Sequence, residues 1–266
     1  MIRSTWSRYT RTMIDPAASP QNSPQAPEQD IRSYYDEFAQ RYEAERRTRR
    51  PDGYHAMIDD LEIDFALRFG ESEDVLEVGC GTGLILERLA ARCRSAKGVD
   101  LSPGMLQLAR NRGLDVTVGS ATELPFEDAS FGMVCSFKVL AHVPDIRTAL
   151  REMVRVTRPG GHILAEFYNP YSLRAVAKRL GPAGAISDAK KEDAVFTRFD
   201  TPWRVKDMLP GGCDIIGSRG VRIVTPAAFV MRIPFARGVF RKLEWSLCDT
   251  RLSQLGGFWI AAIRKN

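Results

Sequence analysis

The chain has 266 residues, 44% of them apolar and 27% charged, with a formal net charge of +5. This balance is ordinary for a globular protein of one large domain, or of one domain with a small appendage. No apolar run reaches the roughly 18 residues of a membrane-spanning helix, and five scattered cysteines without a C-x-x-C pair, beside three histidines, argue against a zinc site and for a reducing, cytoplasmic compartment. The mild positive charge fits an anionic ligand or membrane surface, and equally a plain solubility setting.

In chain order, the first 14 residues carry Arg3, Arg8 and Arg11 with hydroxyl residues and no acid before Asp15. Such a stretch is weakly like an organellar transit peptide and equally like a basic tail. Pro16, Pro20, Pro24 and Pro27 follow, with no aromatic or large aliphatic residue between them. Residues 1–29 therefore read as a disordered leader, because they cannot bury enough surface to order themselves. Ile31, Tyr34, Tyr35, Phe38 and Tyr42 recur at helical spacing and predict a helix over 30–47. A second helix is expected over 54–69, closed by Gly70. The pattern then alternates. Strands are expected at 74–79, 96–100, 114–118, 131–136 and 161–166, with helices at 84–93, 102–112 and 145–157 between them. Ser102 and Asp145 supply N-caps, and Pro159-Gly160-Gly161 turns the chain into the fifth strand. Such alternation implies parallel βαβ units and an α/β fold. Further on, helices are expected near 171–180, 201–209 and 236–248, with strands at Cys213–Val224 and Trp259–Ile263.

The run Val75–Gly83 reads Val-Leu-Glu-Val-Gly-Cys-Gly-Thr-Gly and spans a strand, a loop and the start of a helix. Glycines there permit sharp turns, close approach of a ligand and free backbone N–H groups near a helix N-terminus. The spacing is G-x-G-x-G; the dinucleotide fingerprint G-x-G-x-x-G would need glycine at Leu84. Glu77, two residues before the first glycine, would repel a pyrophosphate and suits the amino group of a methionine moiety. Asp100, ending the next strand, offers two acceptor oxygens that match a vicinal diol.

Val75–Gly83 resembles motif I of the class I, Rossmann-like S-adenosylmethionine-dependent methyltransferases. Val99-Asp100-Leu101-Ser102 resembles their second motif, and Gly119–Phe126 resembles their adenine-contacting loop, with Ser120 standing where the common Asp stands. Phe131–Val143 with Asp145, and Arg155–Gly161, resemble the fourth and fifth elements. The resemblance is strong over 30–168 and weak beyond. It implies a seven-stranded, mostly parallel sheet with helices on both faces, an N-terminal helical cap, and S-adenosylmethionine as cofactor. On this resemblance Glu77, Gly79, Cys80, Gly81, Thr82, Gly83, Asp100, Leu101, Ala121 and Thr122 hold the cofactor. Tyr34 and Tyr42 join them as lid residues, with Tyr35 on the same helix; a plain core face fits that stripe as well. Phe137 either contacts the cofactor or packs in the core.

The layout implied is a leader (1–29), a helical cap (30–70), a cofactor-binding core (71–168), substrate-side elements (169–257) and a last strand (258–266). His142, just past the fourth strand, is the candidate general base, since imidazole titrates near neutral pH; orienting the loop is its other reading. Lys138 would not help a sulfonium and is expected at the surface or on an anionic substrate. The substrate-side stretch interleaves Tyr171, Trp203, Phe229, Phe235 and Trp245 with Arg232, Arg237, Arg241 and Lys242. It reads as an ordinary core with solvated basic faces, or as the place where an apolar acceptor arrives from a membrane surface. The motifs imply a small-molecule acceptor of ubiquinone/menaquinone-like or tailoring type, while O-, N- and C-methylation all stay open. A nucleic-acid target finds no dense basic stripe with interleaved aromatics. The competing readings are a nucleotide-cofactor oxidoreductase and a non-catalytic cofactor-binding module.

Overall fold

A computed structural model describes residues 28–47, 53–172, 196–226 and 228–266. The expected leader falls outside these residues apart from Glu28 and Gln29, and the expected helix near 171–180 falls outside apart from Tyr171 and Ser172. Helix α1 spans Glu28–Arg47 and α2 spans Tyr54–Gly70. The alternating part follows as β1 (Asp74–Val78), α3 (Leu84–Ala90), β2 (Ser95–Asp100), α4 (Pro103–Asn111), β3 (Asp115–Val118), β4 (Phe131–Ser136), α5 (Ile146–Val156) and β5 (Thr157–Tyr168). It ends with α6 (Pro202–Met208), β6 (Cys213–Val221), α7 (Pro234–Leu247) and β7 (Phe258–Lys265).

The seven strands form one sheet in the order β3-β2-β1-β4-β5-β7-β6. β1 to β5 run parallel, and β7 is antiparallel to both its neighbours. The chain order reverses between β1 and β4, so a crevice opens beyond their C-terminal ends, the place where open α/β sheets bind ligands. Side chains alternate across a strand. Leu76, Val78, Val134, Ile163, Ala165 and Phe167 therefore pack towards α5 and α6. Val75, Met133, Cys135 and Leu164 pack towards α2 and α7. The same parity puts Glu77 and Glu166 on the α2 face.

Two strand boundaries differ from the sequence pattern by three residues or more. β5 begins at Thr157, before the expected Pro-Gly-Gly turn. Its pairing with β4 shifts register between Phe131 and Met133, Gly160 adopts φ +77°, and Gly161 lies so close to β4 that a Cβ would sit 2.7 Å from the Gly132 carbonyl oxygen. The glycines thus make a bulge within the strand. β6 stops at Val221, three residues early, because Arg222 takes φ +63°. Among the described residues no helix is long and apolar enough to cross a membrane.

Candidate active site

The glycine loop turns through three left-handed residues, Gly79 (φ +77°), Gly81 (φ +54°) and Gly83 (φ +81°). Their surroundings differ. A Cβ on Gly79 would meet Val139 at 2.2 Å, and one on Gly83 would meet Leu114 at 2.3 Å. A Cβ on Gly81 would meet nothing within 4 Å. Gly79 and Gly83 therefore serve close packing, while Gly81 faces open space.

Four of the loop's N–H groups are engaged. Gly79 and Cys80 donate to the Val99 carbonyl at 2.7 and 3.1 Å, Gly83 donates to the Cys80 carbonyl at 2.9 Å, and Gly81 donates to Asp100 Oδ2 at 2.8 Å. With these four donors committed, the loop offers fewer N–H groups to a phosphate. Buried acceptors, by contrast, lack partners: Glu77 Oε2 and Thr82 Oγ1 have none. Burial pushes the Glu77 carboxyl well above the usual range, and Lys138 pulls it back. An ammonium group placed against Glu77 would satisfy that oxygen, so the site fits a cationic amino-acid moiety better than a pyrophosphate.

Asp100 ties two loops together. Its Oδ1 accepts from Ser102 N at 2.9 Å while Oδ2 accepts from Gly81, and the Leu101 N–H adds a third bond. Burial raises its pKa, and these bonds oppose the rise. Three of the carboxylate's roughly four acceptor sites are thus taken, and one is left for a ribose hydroxyl. The Cys80 thiol turns away from the crevice into a core cluster with Leu86, Leu106 and Ala109; only its backbone reaches the loop. The Phe137 ring is buried with Met57, Ile58 and Leu61. Ser120 bonds its own turn, accepting from Thr122 N at 3.2 Å and meeting Thr122 Oγ1 at 2.8 Å. Ala121, next to it, packs against the α5-side core.

Helix α1 is tied to the start of α4 through Asp36, a residue the stripe reading did not single out. Asp36 Oδ1 accepts from Ser102 Oγ at 2.5 Å and from Gly104 N at 2.8 Å, at the start of α4. Tyr35 feels the Asp100 charge, and burial first, then its tyrosine neighbours and Asp100, raise its pKa. Tyr34 meets Tyr35 edge-on at 5.3 Å and stacks on Phe38 at 5.8 Å, and Phe38 meets Tyr42 at 5.7 Å. The Tyr35 hydroxyl is thus within electrostatic reach of Asp100, and Tyr42 within reach of Lys138.

Lys138 corrects the expectation of a surface or substrate role. Its Nζ bonds Glu62 Oε2 at 2.7 Å and Asp59 Oδ1 at 3.1 Å, and its N–H donates to Glu166 Oε1 at 3.0 Å. The backbone there takes φ +61°, and the three carboxylates hold the residue in that strained conformation. Burial raises Glu62 to about 7 against the pull of Lys138, and raises Glu166 well above the usual carboxylate range. Glu62 Oε1 and Glu166 Oε2 are both buried without a hydrogen-bond partner, and each carboxyl group raises or restrains the titration of the other. A visible signal existed: Glu62 stands in the apolar stripe of Ile58, Leu61 and Phe65, and Glu166 interrupts Ile163-Leu164-Ala165.

His142 sits on the single turn Leu140–His142 beyond β4. Its Nδ1 lies 2.9 Å from the Phe196 carbonyl oxygen. A carbonyl only accepts, so Nδ1 carries the proton and Nε2 is the basic nitrogen. Burial lowers the pKa, keeping the ring neutral. The ring packs edge-on to Tyr168 at 5.8 Å, and Tyr168 also meets Phe258 and Phe199. No group of three His, Cys, Asp or Glu among the described residues could hold a metal ion.

Sheet order and loop together define a class: the chain has the class I, Rossmann-like methyltransferase fold. Residues 76–165 match the family model described as a methyltransferase domain. Over 108 residues the chain is 41% identical to a demethylmenaquinone methyltransferase of Mycobacterium marinum, covering 40% of this chain and 47% of that protein. The chain thus spans about half the length of the curated relatives it matches. An S-adenosylmethionine-dependent methyltransferase of Thermotoga maritima has the same fold, with a TM-score of 0.64 at 19% identity over 88% of this chain and 99% of that one. Another, from Mesorhizobium loti, gives 0.56 at 18% identity over 77% and 96%. At these identities the likeness is one of fold.

Proposed function

We propose that the protein is an S-adenosylmethionine-dependent methyltransferase acting on a small aromatic, quinol-like acceptor. The observation that carries this reading is the pairing of a glycine loop with four committed N–H groups and the buried, unpartnered oxygen of Glu77. In this reading Glu77 takes the amino group of the cofactor, Gly81 lets it approach, Asp100 takes a ribose hydroxyl, and Thr82, Leu101, Ala121 and Thr122 border it. Tyr34, Tyr35 and Tyr42 on α1 cover it. Bound there, the cofactor supplies an electrophilic methyl group. What the chain adds is position, water exclusion and a place for the acceptor's proton. His142 Nε2 takes that proton, with Tyr168 and Phe199 beside it as an aromatic wall.

The acceptor class follows the Mycobacterium marinum relative, whose name specifies a demethylmenaquinone substrate. Residues 30–70 act as the cap, 71–168 as the cofactor core, 169–257 as substrate-side elements and 258–266 as the last strand. A cytoplasmic setting agrees with the five free cysteines, and an acceptor of this kind, partitioning into lipid, calls for a membrane-facing surface. Calorimetric titration with S-adenosylmethionine, S-adenosylhomocysteine and NAD tests the donor. Binding of both sulfur ligands with silent NAD is expected, and NAD binding alone would sink the reading. Incubation with labelled donor and a demethylated naphthoquinol tests the acceptor, through label transfer that His142→Ala lowers roughly 100-fold or more.

A further inference from the structure

The geometry points to α7 as a docking surface for an anionic lipid bilayer. The segment Arg222–Gly257 joins β6 to β7. Its ends, Val221 and Phe258, pair with each other, and Phe258 pairs with Tyr168 at the end of β5. The segment therefore leaves and rejoins the sheet on the edge that carries the glycine loop. On α7, Phe235, Val239 and Leu243 recur at four-residue spacing and share one face. Phe235 is 84% exposed, and Ile233 just before the helix is 52% exposed. The roll of the helix is fixed from the opposite face. Glu244 is fully buried and accepts from the N–H groups of Ile223, Val224 and Thr225 and from the Thr225 hydroxyl, at 2.7 to 3.0 Å. The apolar stripe thus points outward because its helix is locked.

Charge selects the occupant. Of the two acids between Ala228 and Leu255, Glu244 is committed as above and Asp249 is held by Arg219 and Arg68. Arg232 and Lys242, both exposed, flank the stripe. A locked helix with an aromatic and aliphatic outer face and basic flanks matches the acyl boundary and headgroups of an anionic membrane. Delivery of an apolar acceptor as the reason for this surface rests on the methyl-transfer reading; the surface itself rests on the helix.

Flotation of the full chain, without cofactor or acceptor, tests it on vesicles of phosphatidylcholine alone and with roughly one third phosphatidylglycerol. Binding is expected only to the second, weakening with salt. The double variant Phe235→Asp/Val239→Asp should lower the bound fraction roughly tenfold or more, and Lys242→Glu should lower it severalfold, with unchanged circular dichroism and melting. Three results overturn the proposal: no flotation of the folded chain, flotation that survives the double variant, or a concentration-dependent dimer that the same variant abolishes. Flotation with no S-adenosylhomocysteine binding would uphold the surface and remove the functional reading. The opposite pair would remove only the surface.

Discussion

The glycine loop and the acid cluster behind it stand on neighbouring parts of the same sheet edge and are built in opposite ways. The loop is shaped by backbone: three left-handed glycines, four committed N–H groups, and Asp100 bracing one turn against the next. The cluster is shaped by side chains from three separate elements, with Asp59 and Glu62 from α2, Lys138 after β4 and Glu166 from β5. In the loop, Gly79 and Gly83 leave no room for a Cβ, while Gly81 faces open space. The cluster depends on charge throughout, because one lysine offsets several buried carboxylates. A site assembled from both is rigid on its donor side and sensitive to pH on its other side.

The largest expected effect tests that dependence on charge. Lys138→Met leaves carboxylates buried without their cation and should destabilise the fold by about 3–5 kcal/mol, measured by urea unfolding at pH 8. The loss should be smaller at pH 5, where the carboxyl groups take up protons. An equal loss at both pH values would show that Lys138 acts through packing.

A somewhat smaller effect concerns Glu62 itself. Its folded pKa, about 7, lies above its ordinary 4.5 because of burial. Stability from such a group is fully present below the ordinary value and is lost as pH rises through the folded one. A shift of this size is worth on the order of 3 kcal/mol. Glu62→Gln, fixed in a neutral form, should therefore flatten the fall in stability between pH 5 and pH 8. A slope identical to that of the parent would place the proton elsewhere in the cluster.

On the loop, two alanine substitutions separate packing from access. Both place a Cβ on a left-handed backbone. Only Gly79→Ala also forces a Cβ within 2.2 Å of Val139, so it should cost about 2 kcal/mol more stability than Gly81→Ala. Gly81→Ala should instead keep the fold and weaken S-adenosylhomocysteine binding, as calorimetry would report. If the two melt alike, the loop is looser than its contacts indicate.

The same contrast explains what the sequence made legible. The loop, its strand and helix, and Asp100 follow from local spacing, because each constraint is met within a short stretch or at the next strand. The order of elements follows in the same way from apolar periodicity. The cluster did not: Lys138 reaches Glu62 across 76 residues and Asp59 across 79, and spacing carries no record of such a meeting. The extent of β5 was missed because a Pro-Gly-Gly stretch that usually turns the chain here forms a bulge against Gly132. Cys80 read as a loop residue on equal terms with its neighbours, yet Gly98, whose Cβ would lie 2.6 Å from Cys80 Sγ, leaves room for that thiol to turn into the core.

The smallest effect falls on the join between the cap and the loop. Asp36 is a polar tie from α1 to the start of α4, accepting from Ser102 Oγ and Gly104 N. An acid there also faces the positive end of the α4 dipole. Asp36→Ala should cost only about 1 kcal/mol of global stability, because the core beneath α4 does not involve α1. Its larger consequence is on dynamics. With the tie gone, α1 is held less firmly at the start of α4, so Tyr35 leaves Asp100 more often and a bound ligand escapes faster. Stopped-flow dissociation of S-adenosylhomocysteine should accelerate severalfold while amide exchange in β1 and β4 stays unchanged. Faster exchange in those strands would show that the cap supports the sheet as well as covering the site.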